Sequence, residues 1–138
     1  MATGGDRPIL RIGLAIIRQG EALLVTRRPA GSHLEGYWEF PGGKQQAGET
    51  VEGCAVREAW EEVGVECGAV HCYPPIRFDY PDRSVELHPV ECRFLGGEPQ
   101  ALEAAEWRWV RPEELSTLSF PPANAPLLEQ LQRTSAPE

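Results

Sequence analysis

Between Gly43 and Val65 the chain reads GKQQAGETVEGCAVREAWEEVGV, a stretch in which helix start and stop signals bracket a cluster of acids. Thr50 can cap a helix start, Glu52 suits the positive end of the helix dipole, and Gly64 can supply the left-handed residue that ends it. The spacing predicts a helix over 50–63, with Gly53 as an internal cost of about 1 kcal/mol. At about 100° per residue, Glu58, Glu61 and Glu62 fall at i, i+3 and i+4 on one face. Val56, Ala59, Trp60 and Val63 are expected on the opposite face, beside the small Cys54 and Ala55. Such a helix buries one side in a core and borders a cleft with the other, which constrains the fold to stacked layers.

Carboxylates at this spacing repel one another, so stacking them gains nothing unless a cation neutralises the cluster. Oxygen ligands select hard ions, and Mg²⁺ or Mn²⁺ fits because such ions divide their coordination among waters, carboxylates and substrate phosphates. The competing reading is a solvated acidic helix face, eased by Arg57.

Gly43, Glu49 and the run Arg57-Glu58-Ala59-Trp60-Glu61-Glu62-Val63-Gly64-Val65 together resemble the signature box of the Nudix family. Ala59 departs from it, where the family usually carries a larger aliphatic residue. Trp38-Glu39-Phe40-Pro41-Gly42-Gly43-Lys44 resembles the MutT branch of that family, as do Thr26-Arg27-Arg28, Tyr80-Pro81-Asp82-Arg83 and Phe120-Pro121-Pro122-Ala123-Asn124. The resemblance covers residues 8–133 and implies an α/β/α sandwich around a mixed sheet, with loose tails at 1–7 and 134–138.

With 138 residues the chain is long enough for one domain with a real core. A formal charge of −8 and a single lysine argue against binding DNA or RNA duplexes or an anionic membrane. A free nucleotide carried with its cation remains compatible. Cys54, Cys67, Cys72 and Cys92 lack zinc-site spacing and are expected to be buried free thiols, and His33, His71 and His88 to be structural or surface residues. No charged leader followed by a long apolar run is apparent, so a soluble cytoplasmic protein is expected, as monomer or homodimer.

Strands are predicted over 9–17, 21–28, 37–40, 69–78, 85–94 and 106–110. Pro41-Gly42-Gly43 reads as a turn that lets backbone approach a ligand. A helical turn is expected over 112–115 and a final helix over 122–132, with Leu127, Leu128 and Leu131 as its apolar stripe.

The resemblance implies a Mg²⁺-dependent pyrophosphohydrolase that cuts 8-oxo-dGTP to 8-oxo-dGMP and pyrophosphate by water attack. It makes Glu58, Glu61, Glu62 and the Gly43 carbonyl the metal ligands. Glu58 is the first choice of general base, with Glu103, a further ligand candidate, or secondarily Glu106, as the alternative. Arg57 and Glu49 are expected to orient the metal carboxylates, and Lys44 to contact a phosphate or lie in solvent. Asn124 can accept from the N7–H of 8-oxoguanine and donate to its O6, a pairing that guanine, whose N7 is an acceptor, mismatches. Arg28, Trp38, Tyr80 and Arg83 are the remaining candidates for the base pocket. The rival readings are a Nudix hydrolase for CTP or dCTP and a base-recognition domain without catalysis, although such domains normally lose box carboxylates that are all present here.

Overall fold

The computed structural model describes residues 8–133; the expected tails at 1–7 and 134–138 lie outside them. Eight strands, β1 (Ile9–Gln19), β2 (Ala22–Arg27), β3 (Trp38–Glu39), β4 (Gly42–Lys44), β5 (Glu66–Cys72), β6 (Ile76–Asp79), β7 (Ser84–Gly96) and β8 (Glu106–Val110), form one sheet. Helices α1 (Val51–Val63) and α2 (Ala125–Arg133) complete the fold, with 3-10 turns over Pro112–Thr117 and Pro122–Asn124. The central path is β3-β2-β1-β7-β5, and β4, β6 and β8 pair with β1, β7 and β2. β1 and β7 run parallel through ten register pairs while the other ladders are antiparallel, so the sheet is mixed as expected.

β1 explains the layering. Its buried run Leu14–Ile17 is apolar on both faces because both are covered. Leu14 and Ile16 join Leu23, Val25, Trp38, Phe40, Leu127 and Leu131 on the α2 side. Ala15 and Ile17 join Leu24, Ala55, Ala59, Val63 and Val65 on the α1 side. Fully burying each large side chain here contributes about 1.5–3 kcal/mol before entropy is counted.

Three expectations about elements change. The predicted strand over 69–78 is two strands, because Pro74 and Pro75 remove amide donors and end the ladder between them. The Pro41-Gly42-Gly43 segment is not only a turn, since Gly42–Lys44 pairs antiparallel with Ile12–Leu14. The final helix is split, with Pro122–Asn124 in 3-10 form before α2 begins at Ala125.

Two expectations about side chains change as well. Trp60 is 61% exposed, and the inward face of α1 is instead Cys54, Ala55, Ala59, Glu62 and Val63. Small residues let the helix approach the sheet closely, and that approach turns Glu62 inward and Trp60 outward. Cys54, Cys67 and Cys92 are buried free thiols, but Cys72 is exposed near the end of β5.

Candidate active site

Helix α1 begins and ends where its sequence signals fall. The Thr50 hydroxyl accepts from the Gly53 amide at 3.0 Å, and Gly64 closes the helix at φ 69°. On its outer side Arg57 is the hub. Its Nε and Nη2 meet the two Glu49 oxygens at 2.7 and 3.1 Å, and its Nη1 donates to Glu58 at 3.0 Å and Glu61 at 3.1 Å. Nη2 also donates to the Lys44 carbonyl at 3.1 Å, tying the helix to β4. The Arg57 hydrogen bonds, aided by the Gln46 amide, hold the Glu49 carboxyl down at about 2.

Glu62 lies on the other side of this cluster and is buried. Its Oε1 accepts from the Thr26 hydroxyl and its Oε2 from the Gly42 amide, each at 3.2 Å. Burial foremost, and then the charge of Glu39, push the Glu62 carboxyl up to about 8. Glu39 is itself raised by burial against the opposing pull of Arg28, which meets both its oxygens at 3.3 Å. Glu58 is also raised, by burial first, with Arg57 opposing and Glu61 and Glu103 adding like charge.

The expected convergence of three carboxylates is therefore only partial. Glu58 and Glu61 lean onto Arg57 while Glu62 leans onto Thr26 and Gly42. Among the described residues no three His, Cys, Asp or Glu side chains are gathered to hold a metal ion. The donor chemistry nevertheless fits a hard divalent cation: Glu58, Glu61 and Glu62 offer carboxylate oxygens from one helix, and burial holds the Glu58 and Glu62 carboxyls above their ordinary range. Arg57 engages one oxygen each of Glu58 and Glu61, through Oε2 and Oε1.

The backbone of β4 sets the directions of the Gly42 and Gly43 carbonyls. Bonds from Ala15 N to Pro41 O and from Gln45 N to Arg11 O flank the Gly13–Gly43 register pair. The alternation of an antiparallel ladder then turns the Gly43 carbonyl toward β1. That carbonyl also accepts from the Cys54 thiol at 3.3 Å. Gly42 and Lys44 face the other way, as their contacts with Glu62 and Arg57 attest. Gly43 still matters at the site, because a Cβ there would sit 2.4 Å from Glu58 Oε2.

Asn124 is a buried residue on the α2 side whose side-chain amide makes no hydrogen bond to another described residue, but its amide atoms are not among the fully buried unpartnered ones, which belong to Arg18 and Arg27. Only its backbone is engaged, donating to the Pro121 carbonyl at 3.0 Å. Aromatic pairs stand near this segment: Phe40 with Phe120 at 5.5 Å, and Phe78 with Tyr80, on and just beyond β6, at 4.9 Å. Tyr80 packs against the α2-side core and donates its amide to the Arg83 carbonyl, while the Arg83 side chain is exposed. Trp38 is 7% exposed within that core and is covered by the Arg108 guanidinium, 4.6 Å from its ring, so it is not an open stacking platform. Arg28 is engaged by Glu39 and by the His33 carbonyl, Lys44 is exposed, and Glu106 is paired with Arg27 at 2.9 Å. Glu103 is exposed on the 97–105 loop, near enough for its charge to act on Glu58.

Sequence reasoning passed over Glu39 and Gly42. The signal for Glu39 was present: Trp38 and Phe40 are apolar and alternate with it, so period two sends Glu39 to the opposite, α1 face.

The family model for the NUDIX domain matches residues 13–130, and the chain belongs to the Nudix family as a MutT-like hydrolase acting on phosphoric anhydride bonds. The family generally uses divalent metal ions. The chain is 36% identical to the 8-oxo-dGTP diphosphatase of Escherichia coli K12 over 90% of its own length and 97% of that protein's. It is 33% identical to the CTP pyrophosphohydrolase of the same organism, over 88% and 90% of the two chains. The MutT protein from Methanosarcina mazei Go1 shares the fold with a TM-score of 0.81 at 23% identity, over 93% of this chain and 96% of that one.

Proposed function

We propose that the protein hydrolyses 8-oxo-dGTP to 8-oxo-dGMP and pyrophosphate with Mg²⁺, or Mn²⁺ as the other suitable ion, removing oxidised guanine from the nucleotide pool of the cytoplasm. The observation that carries the base preference is the Asn124 side chain, on a buried residue and without a hydrogen bond to another described residue, whose amide has both a donor and an acceptor to offer. A buried amide of this kind is mismatched by roughly 1–3 kcal/mol per pairing when the wrong edge faces it. The similarity to the E. coli 8-oxo-dGTP diphosphatase supports the same reading. Tyr80 and Arg83 shape the pocket beside Asn124, Arg28 meets the purine edge after releasing Glu39, and Trp38 backs the pocket from within the core.

Glu58, Glu61, Glu62 and Glu103 are the carboxylates that would hold the ion, with the carbonyl of Gly43, or the outward carbonyl of Gly42, as a further oxygen. When bound, the divalent ion neutralises phosphate oxygens and makes a water more acidic. Arg57, anchored by Glu49, steadies Glu58 and Glu61, a task suited to a forked guanidinium. Glu58, its basicity raised by burial, takes the proton of the attacking water, and Glu103 is the alternative base. Lys44, exposed beside this cluster, meets a phosphate.

The test is initial release of pyrophosphate and monophosphate from 8-oxo-dGTP, dGTP, CTP, dCTP and ADP-ribose in Mg²⁺. Preference for 8-oxo-dGTP is expected. Preference for CTP or dCTP, which the similarity to the CTP pyrophosphohydrolase favours, would keep the carboxylate chemistry and discard the Asn124 pairing. The charge of −8 suits a free nucleotide rather than a duplex as the substrate.

A further inference from the structure

The segment that carries Glu103 is docked on the end of the catalytic helix. An α-helix leaves its last carbonyls without intrahelical donors. Here the amides of Leu102 and Glu103 both reach the Glu62 carbonyl, at 3.2 and 3.3 Å, the Leu102 amide being shared with the Gln100 carbonyl at 3.0 Å, and the Gln100 amide reaches the Val63 carbonyl at 2.9 Å. The Leu102 side chain lies over the helix cap, its Cδ1 3.6 Å from the point where a Cβ on Gly64 would stand. Leu102 is nonetheless 54% exposed, so it covers the cap without belonging to either core.

Both ends of the loop are pinned. At its start Gly97 takes φ +98°, and a Cβ there would stand 2.6 Å from the Gly64 carbonyl oxygen, so β7 exits tight against the helix cap. At its end the Ala105 amide donates to the Arg27 carbonyl at 2.8 Å. The Glu62 carbonyl that receives Leu102 and Glu103 belongs to a residue whose carboxylate is part of the proposed ion site. Main-chain hydrogen bonds therefore join the loop to the end of the helix that carries the acidic face, and the Glu103 backbone is itself one of the joined groups.

We infer that Leu102 is a positioning residue for Glu103: its amide on the Glu62 carbonyl and its side chain over Gly64 fix the Glu103 carboxylate beside the acidic face of α1. This rests on the reading of Glu103 as a functional carboxylate. A side chain misplaced by about 1 Å can cost roughly a hundredfold in rate, so the docking has room to matter.

The experiment compares Glu103→Gln, Leu102→Pro, Leu102→Ala and the Glu103→Gln/Leu102→Pro double variant on the triphosphate that the wild type turns over fastest. Leu102→Pro removes the amide donor, and Leu102→Ala removes only the side-chain contact; the alanine variant carries the test if the proline variant misfolds. Expected are a roughly hundredfold fall in kcat for Glu103→Gln, roughly tenfold for Leu102→Pro and less for Leu102→Ala. KM should stay within about twofold, and the double variant should be no slower than Glu103→Gln alone. Amide hydrogen exchange should rise at residues 100–103 and stay unchanged at 51–60. Full turnover in Glu103→Gln overturns the reading of Glu103 and the inference with it. A loss in Glu103→Gln with none in the Leu102 variants, or losses that multiply in the double variant, overturns the positioning role alone.

Discussion

The α1 side and the α2 side of the sheet are built in opposite ways. On the α1 side the acids form a connected network, with Arg57 holding Glu49, Glu58 and Glu61 while Thr26 and the Gly42 amide hold Glu62. On the α2 side the side chain of Asn124, a buried residue, has no hydrogen bond to another described residue and lies in a segment flanked by aromatic rings. β3 and the residue after it serve both, sending Trp38 and Phe40 to the α2 core and Glu39 toward Glu62. The contrast teaches a division of labour. The acids of α1 are engaged by hydrogen bonds from Arg57, Thr26 and the Gly42 amide, whereas the Asn124 amide makes none to another described residue, which is what the proposed division between phosphate chemistry and base reading would use.

The sharpest break of this contrast is Glu58→Gln, which removes a charge from the network and keeps its shape. A fall in kcat of roughly 10²–10⁴-fold is expected, with circular dichroism and melting temperature close to wild type. Retained turnover would remove Glu58 from the chemistry. Arg57→Ala should follow with a loss of roughly 10–100-fold, because it releases three carboxylates at once without removing any. An unchanged kcat and an unchanged Mn²⁺ affinity by calorimetry would show the network to be passive.

Asn124→Ala tests the other side and should act on selectivity rather than chemistry. The ratio of kcat/KM for 8-oxo-dGTP over dGTP should fall by roughly tenfold or more, the equivalent of about 1–3 kcal/mol, while turnover of dGTP changes little. A constant ratio would refute its role as the reader of the base.

Glu62 gives a smaller effect, seen in the stability of the metal-free protein. Its carboxyl rises from an ordinary 4.5 to about 8 on folding, so the folded state retains a proton that the unfolded chain releases. Below 4.5 both states are protonated and Glu62 adds no pH dependence. Between 4.5 and about 8 the folded state binds more protons, so stability falls as pH rises, and above that window the destabilisation is constant. The melting temperature without metal should therefore drop from pH 5 to pH 8, and Glu62→Gln should flatten much of that slope. A slope unaltered by the substitution would sink the claim. Glu39 and Glu58, shifted in the same direction, supply the remainder.

The α1 side was legible in the sequence because its chemistry is local: Thr50, Arg57, Glu58, Glu61, Glu62 and Gly64 lie on one helix whose period fixes their angles. The mixed sheet followed from resemblance rather than from periodicity, since the parallel β1–β7 pairing joins segments some 75 residues apart in the chain. What escaped depends on pairing across strands. Gly42 turns outward only because Gly43 pairs with Gly13, and Glu39 meets Glu62 only once β3 lies beside β2. The orientation of Arg57 between Glu58 and Glu61 is a side-chain conformation, which residue spacing allows but does not select.

Trp60 marks how narrowly helical period decides inside from outside, and it supplies the smallest expected effect. Glu62 and Val63 face inward and Trp60 faces outward because Ala55 and Ala59, not the larger Val56 and Trp60, fill the contact with the sheet. A side chain that is 61% exposed leaves little apolar surface to lose on substitution. Trp60→Gln should thus change stability by no more than about 0.5 kcal/mol in urea unfolding, and leave turnover intact. Ala59→Leu, one position away on the buried side, should destabilise by about 1–3 kcal/mol through overpacking. Were Trp60→Gln the costlier of the two, α1 would have to be rotated about its axis relative to the sheet, and the inward placement of Glu62 would fall with it.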